Sequence, residues 1–181
     1  TVEAATRQEE AVPEELASFR PESYQIGAGD LLYITVWDHP ELTSPAGQQQ
    51  QTDANGRLVR PDGTLFYPYV GTLRVSGRTI EDVRKTITSA LAAYVEEPQV
   101  DIAVLRFASQ RVILNGAFIK AGPQPITTTP LALMEAIGAA ELDTLNADLS
   151  GLTLQRDNQV FHLNLDALNT AQGADLYNLY L

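Results

Sequence analysis

Residues 24–37 read Tyr24-Gln-Ile-Gly-Ala-Gly-Asp30 and then Leu31-Leu-Tyr-Ile-Thr-Val-Trp37. The first seven describe a tight turn. Gly27 and Gly29 flank Ala28 and supply backbone freedom, and the Asp30 carboxylate can cap the turn by accepting from nearby amides. The next seven describe a strand. Leu32, Ile34 and Val36 fall on one face, and Tyr33, Thr35 and Trp37 on the other. Both faces are apolar, which predicts a central and largely buried strand with Trp37 packed in the core. Pro40 and Pro45 end it. The Gly27-Ala-Gly29 pair could open a dinucleotide fingerprint. It precedes a strand instead of joining a strand to a helix, so the phosphate-cradling geometry fails and a structural role is expected.

Upstream lies an acidic segment, residues 1–22. Six glutamates stand against Arg7 and Arg20, and apolar residues are sparse. Such a stretch buries too little to offset its ordering entropy, so it reads as a tether, with a short helix possible over Pro13–Phe19. Downstream comes a polar loop over 44–57 that contains Gln48, Gln49, Gln50 and Gln51. Arg57–Arg60 and Thr64–Tyr67 then flank Asp62-Gly63, a hairpin-turn dipeptide. Gly71 and Gly77 bracket another short strand. Thr79 opens the clearest helix, running to Val95, with Asp82 three residues on as a capping partner. Ile80, Val83, Ile87, Leu91 and Tyr94 recur every three or four residues and mark its inward stripe. Pro98 stops it, and Val100, Ile102 and Val104 alternate in a strand reaching about Phe107.

A domain boundary is expected near residue 108. Gln110–Gly116 reads as a strand, Gly122-Pro123 as a turn and Gln124–Thr127 as a return strand. Thr129-Pro130 looks like a cap with proline at the first helical position, with Leu133, Met134 and Ile137 pointing inward. Gly151–Gln155 and Val160–Asn164 form a hairpin around Asp157-Asn158. The alternation of Leu179 and Leu181 reads as a domain cut short. Three segments result: an acidic tether (1–22), a small mixed-sheet domain (23–107) and a second α+β module (108–181).

Composition narrows the chemistry. A formal charge of −11 repels phosphate backbones and anionic lipid, so nucleic acid is not an expected partner. With no cysteine, disulfides, thiolate metal sites and a thiol nucleophile are excluded within the segment. The two histidines, His39 and His162, lie far apart, so convergent metal ligation is not expected. No Gly-x-Ser-x-Gly elbow occurs. A pair of carboxylates that could cleave a sugar is not singled out among 23 acidic residues. No cofactor is called for. The sequence opens at Thr1 with neither methionine nor an apolar leader, which reads as a processed or partial chain.

The quoted run, with Trp37-Asp-His-Pro-Glu-Leu-Thr43 and Pro45-Ala-Gly-Gln48, resembles the opening of the polysaccharide export family in its Wza-like branch. Arg60-Pro-Asp-Gly-Thr64, Phe66-Tyr-Pro-Tyr-Val-Gly71, Gly77-Arg-Thr79 and Pro98-Gln-Val-Asp-Ile102 continue the pattern in order. The second half resembles the soluble-ligand-binding β-grasp module that follows, through Val112-Ile-Leu-Asn-Gly116, Lys120-Ala-Gly122 and Pro130-Leu-Ala-Leu-Met-Glu-Ala-Ile137. Ala139-Ala140-Glu141 stands where relatives carry two glycines, so that helix must end by another geometry.

The resemblance implies an α+β protein and structural roles for Gly27, Gly29, Asp30, Trp37, Asp62, Gly63, Gly71, Gly116 and Gly122. It also implies lipidation upstream, closed homo-oligomeric rings (octamers when full length) at the periplasmic face of the outer membrane, and membrane contact through segments beyond this chain. Its expected partners are a polysaccharide in transit and an inner-membrane co-polymerase or tyrosine kinase. Passage is passive, without catalysis. Gln48–Gln51 would then line the lumen mouth, where amides offer weak repeated contacts; long polar loops can equally be plain surface connections. A glycan-binding module that forms no pore, or a polysaccharide-modifying enzyme, are the rival readings.

Overall fold

The computed structural model describes residues 12–43, 56–169 and 172–181. They form two compact units. One holds Ser23–Arg111 with Pro125–Thr128; the other holds Val112–Gln124 and Thr129–Leu181 with the N-terminal segment through Glu22.

In the first unit, β1 (Leu31–Val36), which is followed by the short helix α2 (Pro40–Thr43), is central, as its two apolar faces predict. It pairs with β2 (Arg57–Leu58) on one side and β5 (Val100–Arg106) on the other, with Ile34 opposite Ile102 and Val36 opposite Val100. Leu32, Ile34 and Val36 are buried against Val83, Ile87 and Leu91 of α3 (Ile80–Leu91). The α+β class stands. The sheet is antiparallel where a mixed sheet is expected, because α3 carries the chain from β4 (Gly71–Arg74) into β5, which returns beside β1 in the opposite sense. The strand β3 (Thr64–Tyr67) pairs with β4, not with β2. The Asp62-Gly63 turn is present, but the hairpin it was expected to close forms one turn later.

Helix α3 shows why a cap works. Thr79 has extended backbone and its hydroxyl oxygen accepts from the amide of Asp82 at 3.1 Å, pairing one of the donors left free at a helix start. Thr79→Ala is expected to lower stability by about 1 kcal/mol, read as a shift of the urea midpoint at constant slope. An unchanged midpoint would contradict the cap. The helix stops at Leu91, a turn before Tyr94. The inward stripe therefore ends, and Tyr94 is exposed rather than buried as its spacing suggested. Trp37 is corrected in the same way. The β1–β5 register ends at Val36 with Val100, Asp38 turns the chain with φ 62°, and Trp37 is 63% exposed.

The second unit packs α4 (Leu133–Ala140) with β6 (Arg111–Leu114) and β7 (Gly122–Pro125), apart from their end residues Arg111 and Pro125, and with the hairpin β8 (Leu152–Arg156) and β9 (Gln159–Leu163). Helical turns follow at Leu165–Asn169 and Gln172–Asn178. Leu133, Ile137, Phe161, Leu163 and Leu176 form its core. Within the stretch read as a tether, α1 (Glu14–Ser18) begins after Pro13 and buries Leu16 in that core. Thr129-Pro130 does not start α4. Leu131 and Ala132 are held extended, with Leu181 N–H donating to Leu131 O at 2.9 Å and Leu133 N–H to Leu179 O at 2.8 Å, so the helix begins after them. It ends at Glu141, which takes a left-handed φ of 54° and pairs with Lys120. The amides of Lys120 and Ile119 satisfy the carbonyls of Ala140 and Glu141. Gly122 opens β7 instead of making a turn, which shifts the return strand two residues earlier.

Candidate functional site

The opening turn is built around one carboxylate. Asp30 is the buried charged residue of the described chain, with no measurable exposure. Its Oδ2 accepts from the Tyr24 hydroxyl at 2.7 Å, the Gly27 amide at 2.9 Å and the Ser109 hydroxyl at 2.9 Å. Its Oδ1 accepts from the amides of Ala108 at 2.8 Å and Ser109 at 2.9 Å. Each carboxylate oxygen has room for about two acceptor directions, so this carboxylate is saturated. Burial pushes its pKa up, but the bonds from Tyr24, Ala108, Gly27 and Ser109 outweigh it and hold the carboxyl below its ordinary value. Burial and the adjacent carboxylate push Tyr24 up to about 12. A saturated carboxylate with a lowered pKa has no spare lone pair for a substrate proton. It is a clamp that ties residues 24–30 to 108–109.

The neighbouring glycines serve it in different ways. Gly29 takes φ 93°, a left-handed angle that asks for glycine. Gly27 does not need such an angle. A Cβ there would lie 2.4 Å from the Cβ of Ser109, so its role is to let the two segments approach. Backbone bonds complete the join: Gly29 N–H to Val59 O at 2.9 Å, Ile26 N–H to Arg78 O at 2.9 Å, and the Gln110 side-chain amide to Gln25 O at 2.7 Å. Phe107 meets the Tyr24 ring edge-on at 5.0 Å.

The other predicted positions are dispersed. Asp62 accepts through Oδ1 from the amide and hydroxyl of Thr64, holding the turn that contains Gly63. Gly71 begins β4, Gly116 lies just after β6, and Gly122 begins β7. Trp37 stands on the surface. Gln48–Gln51 lie outside the described residues. His39 bonds Glu41 through Nδ1 at 2.9 Å in the turn after β1, and His162 is on the exposed face of β9. Among the described residues no three of His, Asp and Glu converge as metal ligands. Among them, too, no helix is long and apolar enough to cross a membrane.

One surface feature is not signalled by periodicity. Tyr69, in the turn between β3 and β4, and Tyr94, just past α3, are 61% and 63% exposed, with ring centroids 5.2 Å apart and planes tilted by 39°. The spacing of Tyr94 points it inward, and Tyr69 lies in a turn that has no periodicity. The available signal was the aromatic run Phe66-Tyr-Pro-Tyr69 across a turn, where alternate rings must face outward.

Residues 19–105 match the family described as polysaccharide biosynthesis/export protein, and residues 110–180 match the SLBB domain. Over 171 residues the chain is 36% identical to the EPS I polysaccharide export outer membrane protein of Ralstonia nicotianae, covering 87% of this chain and 45% of that protein. It is 28% identical over 154 residues to a capsule polysaccharide export outer membrane protein of Neisseria meningitidis, covering 79% of this chain and 39% of that one. A capsule polysaccharide export protein of Haemophilus influenzae is 27% identical over 153 residues, with 79% and 38% covered. The chain thus spans less than half the length of these curated relatives.

Proposed function

Since the chain belongs to the polysaccharide biosynthesis/export family and carries its SLBB domain, we propose that it is the periplasmic part of an outer-membrane exporter of capsular or extracellular polysaccharide. In this reading the protein is one subunit of a homo-oligomeric ring. It is lipid-anchored when full length and works with an inner-membrane co-polymerase. The ring interface is heterologous, one face of each subunit against another face of the next. Polysaccharide passes through the lumen and no bond is made or broken.

The single observation that supports this reading is the succession of the export segment and the SLBB segment along one chain, 19–105 and then 110–180. The clamp at Asp30 fits a scaffold: its carboxylate is spent on holding the first unit closed, and chemistry is not asked of it. Deleting the gene should cut surface polysaccharide at least tenfold while the polymer is retained inside the cell, and a plasmid copy should restore it. Electron microscopy of the full-length protein in detergent should show closed rings with an open lumen. Undiminished surface polysaccharide in the deletion strain would overturn the export reading.

A further inference from the structure

We propose that the Tyr69–Tyr94 pair is a stacking contact for the polysaccharide in transit. The inference rests on the export reading for its ligand and on the geometry of the pair for its place. The two rings lie 5.2 Å apart, tilted by 39°, and each is more than half exposed. Two adjoining aromatic faces with phenolic hydroxyls at their rims suit a sugar ring. Its C–H face packs on the π surface, and its hydroxyls reach the phenol.

The backbone supports a purpose for the first ring. Tyr69 takes φ 64°, a left-handed angle unfavourable for a bulky side chain, while Gly71 two residues on takes φ 82°. A glycine at position 69 would suit the turn better, so the turn keeps a tyrosine at a conformational cost. Tyr94 leaves the helix just where its amide still bonds Leu91 O at 2.8 Å, which fixes the ring's root at the end of a rigid element.

Charge favours a neutral contact. The chain carries a formal charge of −11, so ionic attraction would serve an acidic polymer poorly, and contact with an uncharged ring face does not depend on it. Stacking is short-ranged and insensitive to salt. It holds the polymer weakly at each step, as passage requires. A second copy of the chain is the other candidate occupant. A pair lying within the proposed ring interface would be covered by the neighbouring subunit and closed to oligosaccharide, so binding and subunit number together separate the two occupants.

The test uses the full-length protein in detergent, titrated with oligosaccharides cut from the surface polysaccharide of its own host. Binding is read by calorimetry at low and high salt, and subunit number by sedimentation. Tyr69→Ser with Tyr94→Ser should weaken binding at least tenfold at both salt concentrations and leave subunit number and thermal melting unchanged. Tyr69→Phe with Tyr94→Phe should stay within about threefold of wild type, because the faces remain. Absence of binding by the wild-type protein, or equal binding by the serine variant, overturns the inference. A serine variant that falls into smaller assemblies also overturns it and assigns the pair to contact between copies. Gene deletion reads the export function separately. Lost export with unaltered binding by the serine variant refutes the stacking contact alone, and retained export in the deletion strain refutes the export reading.

Discussion

Replacing Asp30 with alanine is expected to lower the unfolding free energy by about 3–5 kcal/mol, because the buried donors bonded to its carboxylate lose their acceptor. The substitution removes the acceptor for five donors, of which the amides of Gly27, Ala108 and Ser109 cannot turn away. Each buried donor left unpaired costs about 1–3 kcal/mol, less where water enters. Asp30→Asn should recover only part of the loss. It keeps one acceptor oxygen but points an NH2 group at donors. Urea unfolding of the three proteins measures this, and a loss below about 1 kcal/mol for alanine would refute the clamp.

The same carboxylate makes stability depend on acid. Its folded pKa lies below the ordinary value, so its contribution is present above the unfolded pKa of about 4 and fades as pH falls through the folded one. The wild-type protein should lose stability on acidification below about pH 4 more steeply than Asp30→Asn, in which this group no longer titrates.

The second large effect is expected from adding a single methyl group. Gly27→Ala places a Cβ 2.4 Å from the Cβ of Ser109 and 2.6 Å from its hydroxyl. Ser109 cannot yield cheaply, because its amide and its hydroxyl are both bonded to Asp30. Overpacking of this kind costs about 1–3 kcal/mol, and disturbing the carboxylate adds to it. The cause can be isolated. In a Ser109→Gly background the obstructing Cβ is gone, so the added methyl should cost much less. If the two substitutions add without interaction, the close approach is not the reason glycine stands at 27. Gly29→Ala is the contrasting case: nothing closer than 3.6 Å meets its Cβ, and the penalty comes from φ 93°.

Much of the fold was legible from local pattern. The alternation over 31–36 specified β1 and its buried face, and the apolar spacing after Thr79 specified α3, its cap and its inward residues. Asp30 was identifiable as a turn cap from its place after two glycines, and the structure adds its bonds to Ala108 and Ser109. The Asp157-Asn158 turn falls between β8 and β9 as read.

The sequence by itself determined these elements because periodicity, capping and turn chemistry act between residues a few positions apart. Only the tertiary structure decided the rest. The amide that completes the Asp30 clamp is 79 residues away, and no local pattern names a partner at that distance. The extended stretch that delays α4 depends on Leu179 and Leu181 arriving beside Leu131 and Leu133. Trp37 and Tyr94 continue their stripes in sequence but not in space, since β1 ends where its pairing with β5 ends and α3 ends at Leu91. A stripe predicts burial only while the element carrying it continues, and where an element stops is set by the neighbours that share its hydrogen bonds.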